Sequence, residues 1–560
     1  MGIFDRYFRP SADSTPSTTP HSGAPRPDPV SQVKRYHAIT KHAPGHYARG
    51  PHALDWETQP DPFRSYSGAE RIELPLDSAT QAPTFDEAAG EGGTPSCPLN
   101  ESNLSSLLQF SLGLSAWKQY GDSRWALRIN PSSGNLHPTE AYLVSGPVPG
   151  WQESGFVAHY AVREHALEVR ARLNAATWER ITEGMPAGVF FVGLSSILWR
   201  EEWKYGERAY RYCQHDVGHA IAAIAYSASC LGWKVRMLDH LSSSDLEQVL
   251  GLGGFGDAEP EEADTLLAIY PGDVDAMREL STEALQLFAN LSWSGQANQL
   301  SSDHLEWDAI HACAFVASKP STVPAKSLQR PSQPPTNERS LAARTLFAGR
   351  RSAVAMDGKT SMSLLAFLTI MERCLPTAGR VPFASFPWSP RVHLLVFVHR
   401  VEGLQPGLYA LLRESESGER LLANLGQGER VAEAPEHLPL YRIKPGSFQS
   451  MSASVSCDQA IAGQGTFSLG MVADFDRSLD ELGAWFYPRL FWETGLIGQT
   501  LYLESEAAGL RGTGIGCFYD DSVHQLAGLS GSSFQSLYHF TVGGPVEDSR
   551  IQGHPPYSRS

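Results

Sequence analysis

The sequence predicts a protein of mixed helices and strands, of the α+β or α/β class, built as two copies of one domain. Residues 188–254 and 465–531 align without a gap at an offset of 277, and 12 of the 67 pairs are identical, seven of them glycine. Shared glycines indicate a shared backbone path. In both copies helical stretches alternate with short apolar runs, which is typical of mixed folds.

Each copy contains the same predicted elements in the same order. Residues 216–231 and 493–508 have helical length without internal proline. Each is followed by a glycine, Gly232 or Gly509, which suits the left-handed position after a helix. Short apolar or extended runs predict strands. The predicted strands are residues 189–194, 235–238, 394–398 and 513–518.

Composition divides the chain into four regions. Residues 1–32 are rich in Pro, Ser and Thr and predict a disordered tail without a signal peptide. The first domain is predicted over 33–316 and the second over 339–560, and the proline-rich stretch 317–338 reads as a linker. Each half is long enough to bury its own core.

Charge and cysteine usage exclude several classes of partner. The net charge of −16 argues against nucleic acid and anionic membranes. The seven cysteines are scattered and odd in number, which argues against a disulfide framework and fits reduced thiols in a cytoplasm. The apolar stretch 220–233 is too short to span a bilayer. His215 and His219 share a helical face without an HExxH motif, so no metal site is expected.

A pair of arginines and a serine open the second half. Arg350, Arg351 and Ser352 precede a predicted helix over 362–374. Two guanidiniums and a hydroxyl at this spacing suit a phosphate. The alternative is a solvated surface pair, as exposed arginines often are.

A dense turn at residues 130–138 is the second candidate segment. Pro131 fixes the backbone and leaves Ser132, Ser133 and Asn135 as short polar groups facing one point. The alternative is an ordinary loop.

The third candidate segment is the glycine-rich stretch 512–516. Gly514, Ile515 and Gly516 would let backbone N–H groups approach a ligand, but the spacing matches neither a dinucleotide fingerprint nor a P-loop. A tight turn into a strand is the alternative.

The fourth candidate is the adjacent pair Lys204 and Tyr205, which could transfer protons. The alternative is a solvated helix start.

With these segments in order, the chain resembles the FMN-dependent nitroreductase superfamily, in particular the tandem SagB-type dehydrogenases and their azoline-oxidase relatives. Taken together the matching segments span most of the chain. They are YHAITKH (36–42), LDW (54–56), QPDPFRSY (59–66), NPSSGNLHPTEAYLV (130–144), WKYGERAYRY (203–212), GH (218–219), RRSAVAMDGKT (350–360), GLYALL (407–412), GLRGTGIGCFYDD (509–521) and YHFTVGGPVED (538–548).

The resemblance implies an α+β fold: two tandem nitroreductase-like α/β sandwich domains forming an intramolecular pseudo-dimer, with FMN at their interface. The family dimer offers the Arg-Arg-Ser segment and a glycine strand from one subunit and the Pro-Ser-x-Gly-Asn turn from the other. Here these parts lie on different halves, which implies one composite site. The implied FMN-binding residues are Arg350, Arg351, Ser352, Pro131, Ser132, Ser133, Asn135, Gly514, Ile515 and Gly516.

Three further residues follow from the resemblance. The family's phosphate segment often has another arginine where this chain has Val354, so Arg550 is expected to contribute. A Lys-Tyr pair removes protons in azoline oxidases, which carries that role to Lys204 and Tyr205.

The mirror site is expected to be degraded. Residues 236–240 replace the glycine strand, and residues 385–390 lack the Gly-Asn of the turn.

The sequence thus predicts an FMN-dependent oxidoreductase that dehydrogenates a small-molecule or peptide-derived substrate such as an azoline, together with biosynthetic partner proteins. Two alternatives stay open: reduction of nitro or quinone compounds with NAD(P)H, and a scaffold or binding protein without catalysis.

Overall fold

The computed structural model describes residues 28–77, 83–90, 94–253, 259–271, 277–325 and 340–557. Its helices and strands fall into two similar sets, one in each half of the chain.

The first half contains eleven of the strands. They are β1 (Tyr66–Ser67), β2 (Glu70–Glu73), β3 (Leu114–Tyr120), β4 (Ser123–Arg128), β5 (Thr139–Ser145), β6 (Gly155–Ala161), β7 (Ala166–Leu173), β8 (Phe190–Ile197), β9 (Trp233–Met237), β10 (Glu261–Pro271) and β11 (Gln296–Ala297). Its helices are α1 (Pro29–Ile39), α2 (Phe85–Ala89), α3 (Glu101–Gln109), α4 (Ala175–Ile181), α5 (Trp199–Tyr205), α6 (Ala209–Ser229), α7 (Ser243–Leu250), α8 (Thr282–Ala289) and α9 (Asp308–Val316).

The second half repeats much of this set. Its strands are β12 (Val392–Val398), β13 (Gly407–Leu411), β14 (Glu429–Arg430), β15 (Leu440–Pro445), β16 (Phe467–Asp474), β17 (Arg511–Ile515), β18 (Phe534–Gly543) and β19 (Gln552–His554). Its helices are α10 (Ala343–Gly349), α11 (Leu364–Arg373), α12 (Ser415–Asn424), α13 (Gln449–Val455), α14 (Ala460–Gln464), α15 (Phe475–Leu482), α16 (Tyr487–Ala507) and α17 (Asp520–Ala527).

Two seven-stranded sheets form the frame of the molecule. Their strand orders are β2-β7-β6-β5-β8-β10-β9 and β14-β15-β13-β12-β16-β18-β17, so each strand of one sheet has a counterpart at the same place in the other. β16 and α17 follow β8 and α7 at the offset of 277 seen in the sequence. The mixed helix-and-sheet class and the duplication of one domain are therefore confirmed.

The long helices α6 and α16 pack against each other at the centre of the molecule. Gly218 and Gly495 lie at their crossing: a β-carbon on Gly218 would stand 2.8 Å from the α-carbons of Gly495 and Trp492. A β-carbon on Gly495 would stand 2.6 Å from the Gly218 α-carbon. Glycine at both positions therefore lets the two backbones touch, which explains why this pair is shared between the copies.

Both ends of the described chain pack on the opposite half. In α1, Lys34 forms ion pairs with Asp476 at 3.0 Å and Asp480 at 2.9 Å on α15. At the other end β19 adds to the three-stranded sheet β19-β3-β4, and the Tyr557 hydroxyl accepts a hydrogen bond of 2.8 Å from the Leu114 amide. These exchanged ends tie the halves together beyond the central helix pair.

The predicted boundaries differ from the structure in places. α1 begins at Pro29, inside the predicted tail, while residues 1–27 lie outside the described part. The long helices begin earlier than predicted, at Ala209 and Tyr487. Both are buried almost throughout, so their first turns lack the polar face that would mark a helix on the surface. Of the predicted linker, residues 326–338 lie outside the described ranges.

No helix in the described ranges has the length and apolar character needed to cross a bilayer. Within the same ranges, no group of three or more His, Cys, Asp or Glu residues is arranged to hold a metal ion.

Candidate functional site

The glycine strand β17 lies at the edge of the second sheet. Its alternate backbone groups therefore have no strand partner on one side. There the Gly512 carbonyl accepts a hydrogen bond of 3.2 Å from the Ala353 amide, and the Gly514 amide donates one of 2.9 Å to the Tyr502 hydroxyl. These two bonds join the edge of β17 to the segment that carries Ser352 and to α16.

Aromatic side chains make glycine necessary on this strand. A β-carbon on Gly514 would stand 2.7 Å from Cζ of Tyr538, and one on Gly516 would stand 2.8 Å from Cδ1 of Tyr212. Tyr212 comes from α6 of the first half, so the glycine edge is shaped by both halves.

Tyr502 on α16 joins two of the predicted segments. Its hydroxyl lies 2.9 Å from Oγ of Ser352 as well as 2.9 Å from the Gly514 nitrogen. Sequence reasoning missed Tyr502, since it lies inside a buried helix and its repeat counterpart is Ala225. Ser352 itself is exposed, which leaves its hydroxyl accessible.

The two arginines sit against the first half. The buried Arg350 donates from Nε to the Ile129 carbonyl at 3.0 Å and from Nη2 to the Arg128 carbonyl at 3.1 Å. Arg351 donates from Nη2 to the Ser115 carbonyl at 3.1 Å. Arg350 therefore fastens the second half to the residues immediately before the first-half turn.

The turn at 130–138 is anchored by a buried carboxylate on α6. Asp216 accepts hydrogen bonds from the Ser133 amide at 3.1 Å and from the Ser133 hydroxyl at 3.1 Å. Burial raises the pKa of Asp216 to about 7, against the lowering effect of these hydrogen bonds. Ser132 Oγ accepts from the His137 amide at 2.8 Å, and Asn135 donates from Nδ2 to the Ala126 carbonyl at 2.9 Å.

Lys204 and Tyr205, at the end of α5, lie over the apex of this turn. A β-carbon on Gly134 would stand 2.5 Å from the Tyr205 hydroxyl and 3.1 Å from Nζ of Lys204. The Tyr205 ring packs edge-on against Tyr212 at 4.6 Å between centroids. Burial raises the pKa of Tyr205 well above its usual value, and nearby Glu201 raises it further, so the phenol is held protonated.

The hydroxyl of Tyr212 completes the connection between the halves. It donates a hydrogen bond of 3.2 Å to the Gly516 carbonyl, which also accepts one of 3.2 Å from Nη2 of Arg208. The structure thus brings the first-half turn, the Lys204–Tyr205 pair, the glycine edge and the Arg350–Ser352 segment into one region.

A buried acid, Glu201, lies beside this region and was missed by sequence reasoning. Its side chain is fully buried, and neither carboxylate oxygen has a hydrogen-bond partner among the described residues. Burial raises the pKa of Glu201 well above its usual value, the charge of Asp216 raises it further, and Lys204 opposes the rise. The sequence feature that could have identified Glu201 is the pair of adjacent acids, Glu201 and Glu202, directly before Trp203-Lys204-Tyr205.

The two helical histidines have structural partners. His215 shares a hydrogen bond of 2.9 Å between Nδ1 and the Thr494 hydroxyl, and its ring stacks on Tyr538 at 4.2 Å. Nε2 of His219 lies 3.2 Å from the Tyr538 hydroxyl. Both rings therefore support Tyr538, the side chain that packs against Gly514.

Arg550 is not brought to the other predicted residues. It is exposed and forms an ion pair of 2.7 Å with Asp548 while lying 5.5 Å from the Tyr120 ring centroid. Within the described ranges no contact links it to Arg350, Arg351 or Ser352. Asp548, two residues away, pairs with Arg550 instead of a ligand phosphate. The distance of Arg550 from residues 350–352 in the sequence gave no indication of this local pairing.

The mirror region, where the corresponding strand is β9, is covered by the chain itself. β9 contacts the turn Phe383–Ser385 of the second half. Nearby, the Trp388 ring packs at 5.6 Å on Phe486. The mirror turn thus lies close beside β9.

The start of the predicted linker also covers the mirror region. The Thr322 amide donates to the His240 carbonyl at 3.0 Å, and the Ala325 amide donates to Asp239 Oδ2 at 2.7 Å. By the repeat offset Asp239 and His240 correspond to Gly516 and Cys517. The polar groups at this end of the mirror strand are therefore already satisfied by the chain.

An open groove of about 750 Å³ lies elsewhere on the first half. It is lined by Trp117, Arg124, Arg163 and Tyr557 among others, and it contains none of the predicted site residues.

Comparisons with known proteins agree with this architecture. Residues 370–544 match the model of the Nitroreductase family. The structure is similar to the crystal structure of a candidate nitroreductase from Anabaena variabilis, with a TM-score of 0.66 and 19% identity over 92% of this chain and 99% of that chain. At this identity the likeness shows the fold, which both chains share over nearly their full lengths.

Two further structures match parts of the chain. One is a candidate nitroreductase from Ralstonia eutropha, with a TM-score of 0.28 and 15% identity over 40% of this chain and 99% of that one. The other is the E. coli microcin synthetase McbBCD complex with truncated pro-MccB17 bound, with a TM-score of 0.27 and 19% identity over 44% and 94%. No curated protein matches the chain significantly.

Proposed function

We propose that the chain, whose residues 370–544 match the model of the Nitroreductase family, is an FMN-dependent oxidoreductase with one flavin site shared by its halves. One observation carries this proposal. The open glycine edge of β17 and the Ser352 hydroxyl of the second half face the turn anchored by Asp216 in the first half, and Tyr212 connects the two.

The residues present fit a flavin mononucleotide. Gly514 and Gly516 bring the backbone close to Tyr538 and Tyr212, whose rings give this side of the site an aromatic surface that would suit a flat ring. The exposed hydroxyl of Ser352 is a donor for a phosphate oxygen, while the Gly514 amide is held by the Tyr502 hydroxyl. When bound, the flavin supplies hydride exchange with an organic substrate.

Arg351 is the arginine better placed for the phosphate. Arg350 is buried and its guanidinium is held by two first-half carbonyls, so its part is to hold the turn and the phosphate segment in register. Arg351 also donates to carbonyls, those of Ala348, Arg350 and Ser115, but it is only half-buried and lies beside the exposed Ser352. We assign phosphate charge to Arg351 and Ser352, and assembly of the site to Arg350.

Proton transfer falls to Lys204 and Tyr205. Both polar groups lie over Gly134 at the apex of the turn, where a substrate stacked on a ring would meet them. Burial keeps the Tyr205 phenol protonated, so Tyr205 donates a hydrogen bond that holds the substrate in place, and the proton that dehydrogenation releases is assigned to the Lys204 amine. The buried Glu201, close enough for the charge of Lys204 to act on it, is a proton reservoir behind the pair.

The substrate class that these residues favour is one that loses a hydride and a proton together, such as an azoline in a small molecule or peptide. This is the chemistry of the SagB-type dehydrogenases that the sequence resembles, and it implies a cytoplasmic enzyme with biosynthetic partner proteins. Reduction of nitro or quinone compounds with NAD(P)H is the second candidate. The same flavin-binding residues would support that reaction, and it would not require Lys204 or Tyr205.

The covered mirror region supports a single site. Residues 383–385 lie beside β9, and residues 322 and 325 bond to His240 and Asp239 just beyond its end, so a second flavin would have to displace both segments. The first test is to count flavin released by heat from the purified full chain after reconstitution with FMN. About one FMN per chain is expected. Two would contradict the single site, and none would favour the scaffold alternative.

The second test separates the two reaction classes. Lys204→Ala and Tyr205→Phe are expected to keep FMN but lose dehydrogenation by about 10²-fold or more, the usual scale of a general acid–base contribution. The exposed Lys444→Ala, on the far strand β15, is the matched control. Retained dehydrogenation in both variants would contradict the proton-transfer role, and retained nitro reduction alone would favour the second candidate.

A further inference from the structure

Two cysteines distant in the sequence meet beside the glycine strand. Sγ of Cys517 lies 2.8 Å from Sγ of Cys457, and both residues are free thiols that are partly exposed. The sulfurs are thus within hydrogen-bond distance and open to small molecules.

The backbone fixes this meeting. Cys517 directly follows the glycine edge, and Cys457 follows α13 in the left-handed region, at φ 54°. The two segments are fastened by a hydrogen bond of 2.8 Å from the Tyr519 amide to the Val455 carbonyl, and by one of 3.0 Å from Gln459 Nε2 to the Cys517 carbonyl. A left-handed non-glycine residue is uncommon and often marks a functional position.

The surroundings make the two thiols unequal. The hydrogen bond between the two thiols lowers the pKa of Cys517, with further lowering by His42 and Arg208 against the effect of burial. The same hydrogen bond raises the pKa of Cys457. Nδ1 of His42 accepts a hydrogen bond of 3.0 Å from the Ala48 amide, so its proton resides on Nε2 and is available to a thiolate. Cys517 is the nucleophile of the pair.

We propose that Cys457 and Cys517 form a redox-active dithiol that is oxidised to an intramolecular disulfide by low-molecular-weight disulfides of the glutathione type. The Cys517 thiolate attacks one sulfur of the external disulfide, whose S–S bond breaks and releases one thiolate. The Cys457 sulfur then attacks Cys517, gives its proton to solvent, and releases the second thiolate. Two electrons pass from the pair to the external disulfide, which leaves as two thiols.

The pair is placed to act on the site. A disulfide bond of about 2.05 Å would draw Cys517 toward Cys457. Cys517 is joined to Gly516, whose carbonyl is held by Tyr212 and Arg208 of the first half. The exchange itself needs only the two thiols and the external disulfide, so it stands or falls independently of the proposed flavin chemistry.

The test uses the full chain equilibrated in mixtures of reduced and oxidised glutathione, then alkylated, and analysed by intact mass and peptide mapping. Wild type is expected to lose two alkylatable thiols and to give a linked peptide pair containing Cys457 and Cys517, reversed by dithiothreitol. Cys457→Ser is expected to stop at a glutathione adduct on Cys517, and Cys517→Ser to form neither product. Cys97→Ser, which removes a partly exposed thiol elsewhere, should behave as wild type.

A kinetic measurement on the unmodified chain complements the variants. At neutral pH Cys517 is expected to react with iodoacetamide at least tenfold faster than Cys97. Equal rates, or wild type that retains all seven alkylatable thiols in oxidised glutathione, would overturn the proposal. An adduct on Cys457 in Cys517→Ser as abundant as that on Cys517 in Cys457→Ser would overturn the assignment of the nucleophile.

Discussion

The crossing of α6 and α16 offers a direct test of how the halves are joined. In Gly218→Ala the new methyl group would stand 2.8 Å from the α-carbons of Gly495 and Trp492, where carbon atoms normally sit 3.5–4.0 Å apart. Backbone atoms cannot rotate away, so the helices must separate by about 1 Å. Such a gap forfeits a quarter to a half of the dispersion attraction across the contact.

The cost of this overpacking is about 2–3 kcal/mol, and alanine returns about 1 kcal/mol of helix propensity. A net loss of about 1–2 kcal/mol in the free energy of unfolding follows. With a urea dependence of about 3 kcal/mol per molar, the midpoint falls by about 0.5 M. Gly349→Ala is the matched control, because no atom lies within 4 Å of its added β-carbon. Equal midpoints for both variants and wild type would refute this account of the crossing.

Three further substitutions are tested by urea unfolding, two at links between the halves and one within the first half. Arg208 and Arg211 pair with Asp520 at 3.0 and 2.8 Å. Asp520→Asn should lower the free energy of unfolding by about 3–5 kcal/mol, because it leaves both arginines buried without their anion; a loss under 1 kcal/mol would contradict this. Arg350→Lys should cost about 1–3 kcal/mol, because lysine cannot reproduce the two carbonyl contacts; an unchanged midpoint would count against the clamp. Burial raises the pKa of Asp216 to about 7, so the folded chain retains a proton that the unfolded chain releases near pH 4. Stability should therefore fall by up to about 1.4 kcal/mol per pH unit between about pH 4 and 7, and Asp216→Asn should remove that share of the slope; parallel pH profiles for wild type and variant would contradict it.

The fold was largely legible in the sequence because glycines at fixed spacing constrain the backbone wherever they occur. Gly232 and Gly509 end their helices in the left-handed region, at φ 67° and 73°. The pair Gly218 and Gly495 marks the crossing at which the backbones of α6 and α16 touch. The glycine pattern could not predict strand pairing across some 430 residues, such as that of β19 with β3. The local sequence of Gln552–His554 contains no information about which strand it pairs with.

The sequence predicted the residues of the candidate site only where they belong to short motifs. Tyr502 and Glu201 depend on which way a helix faces after packing, and that direction is set by the other half. Arg350 was predicted as a phosphate ligand from its residue type, yet its burial against Ile129 gives it an assembling role. Cys457 and Cys517 were judged scattered because their meeting depends on tertiary structure alone.

The segment Lys319–Ala325 has a consequence for ligand competition. It is bound to Asp239 and His240 by hydrogen bonds of 2.7 and 3.0 Å while joined covalently to the same half of the chain. A tethered segment acts as a competitor whose effective concentration is in the millimolar range, and dilution does not lower it. A free ligand at micromolar concentration would have to bind the mirror strand about a thousandfold more tightly than the segment does in order to displace it. The chain thus carries a tethered competitor for the polar groups just beyond β9.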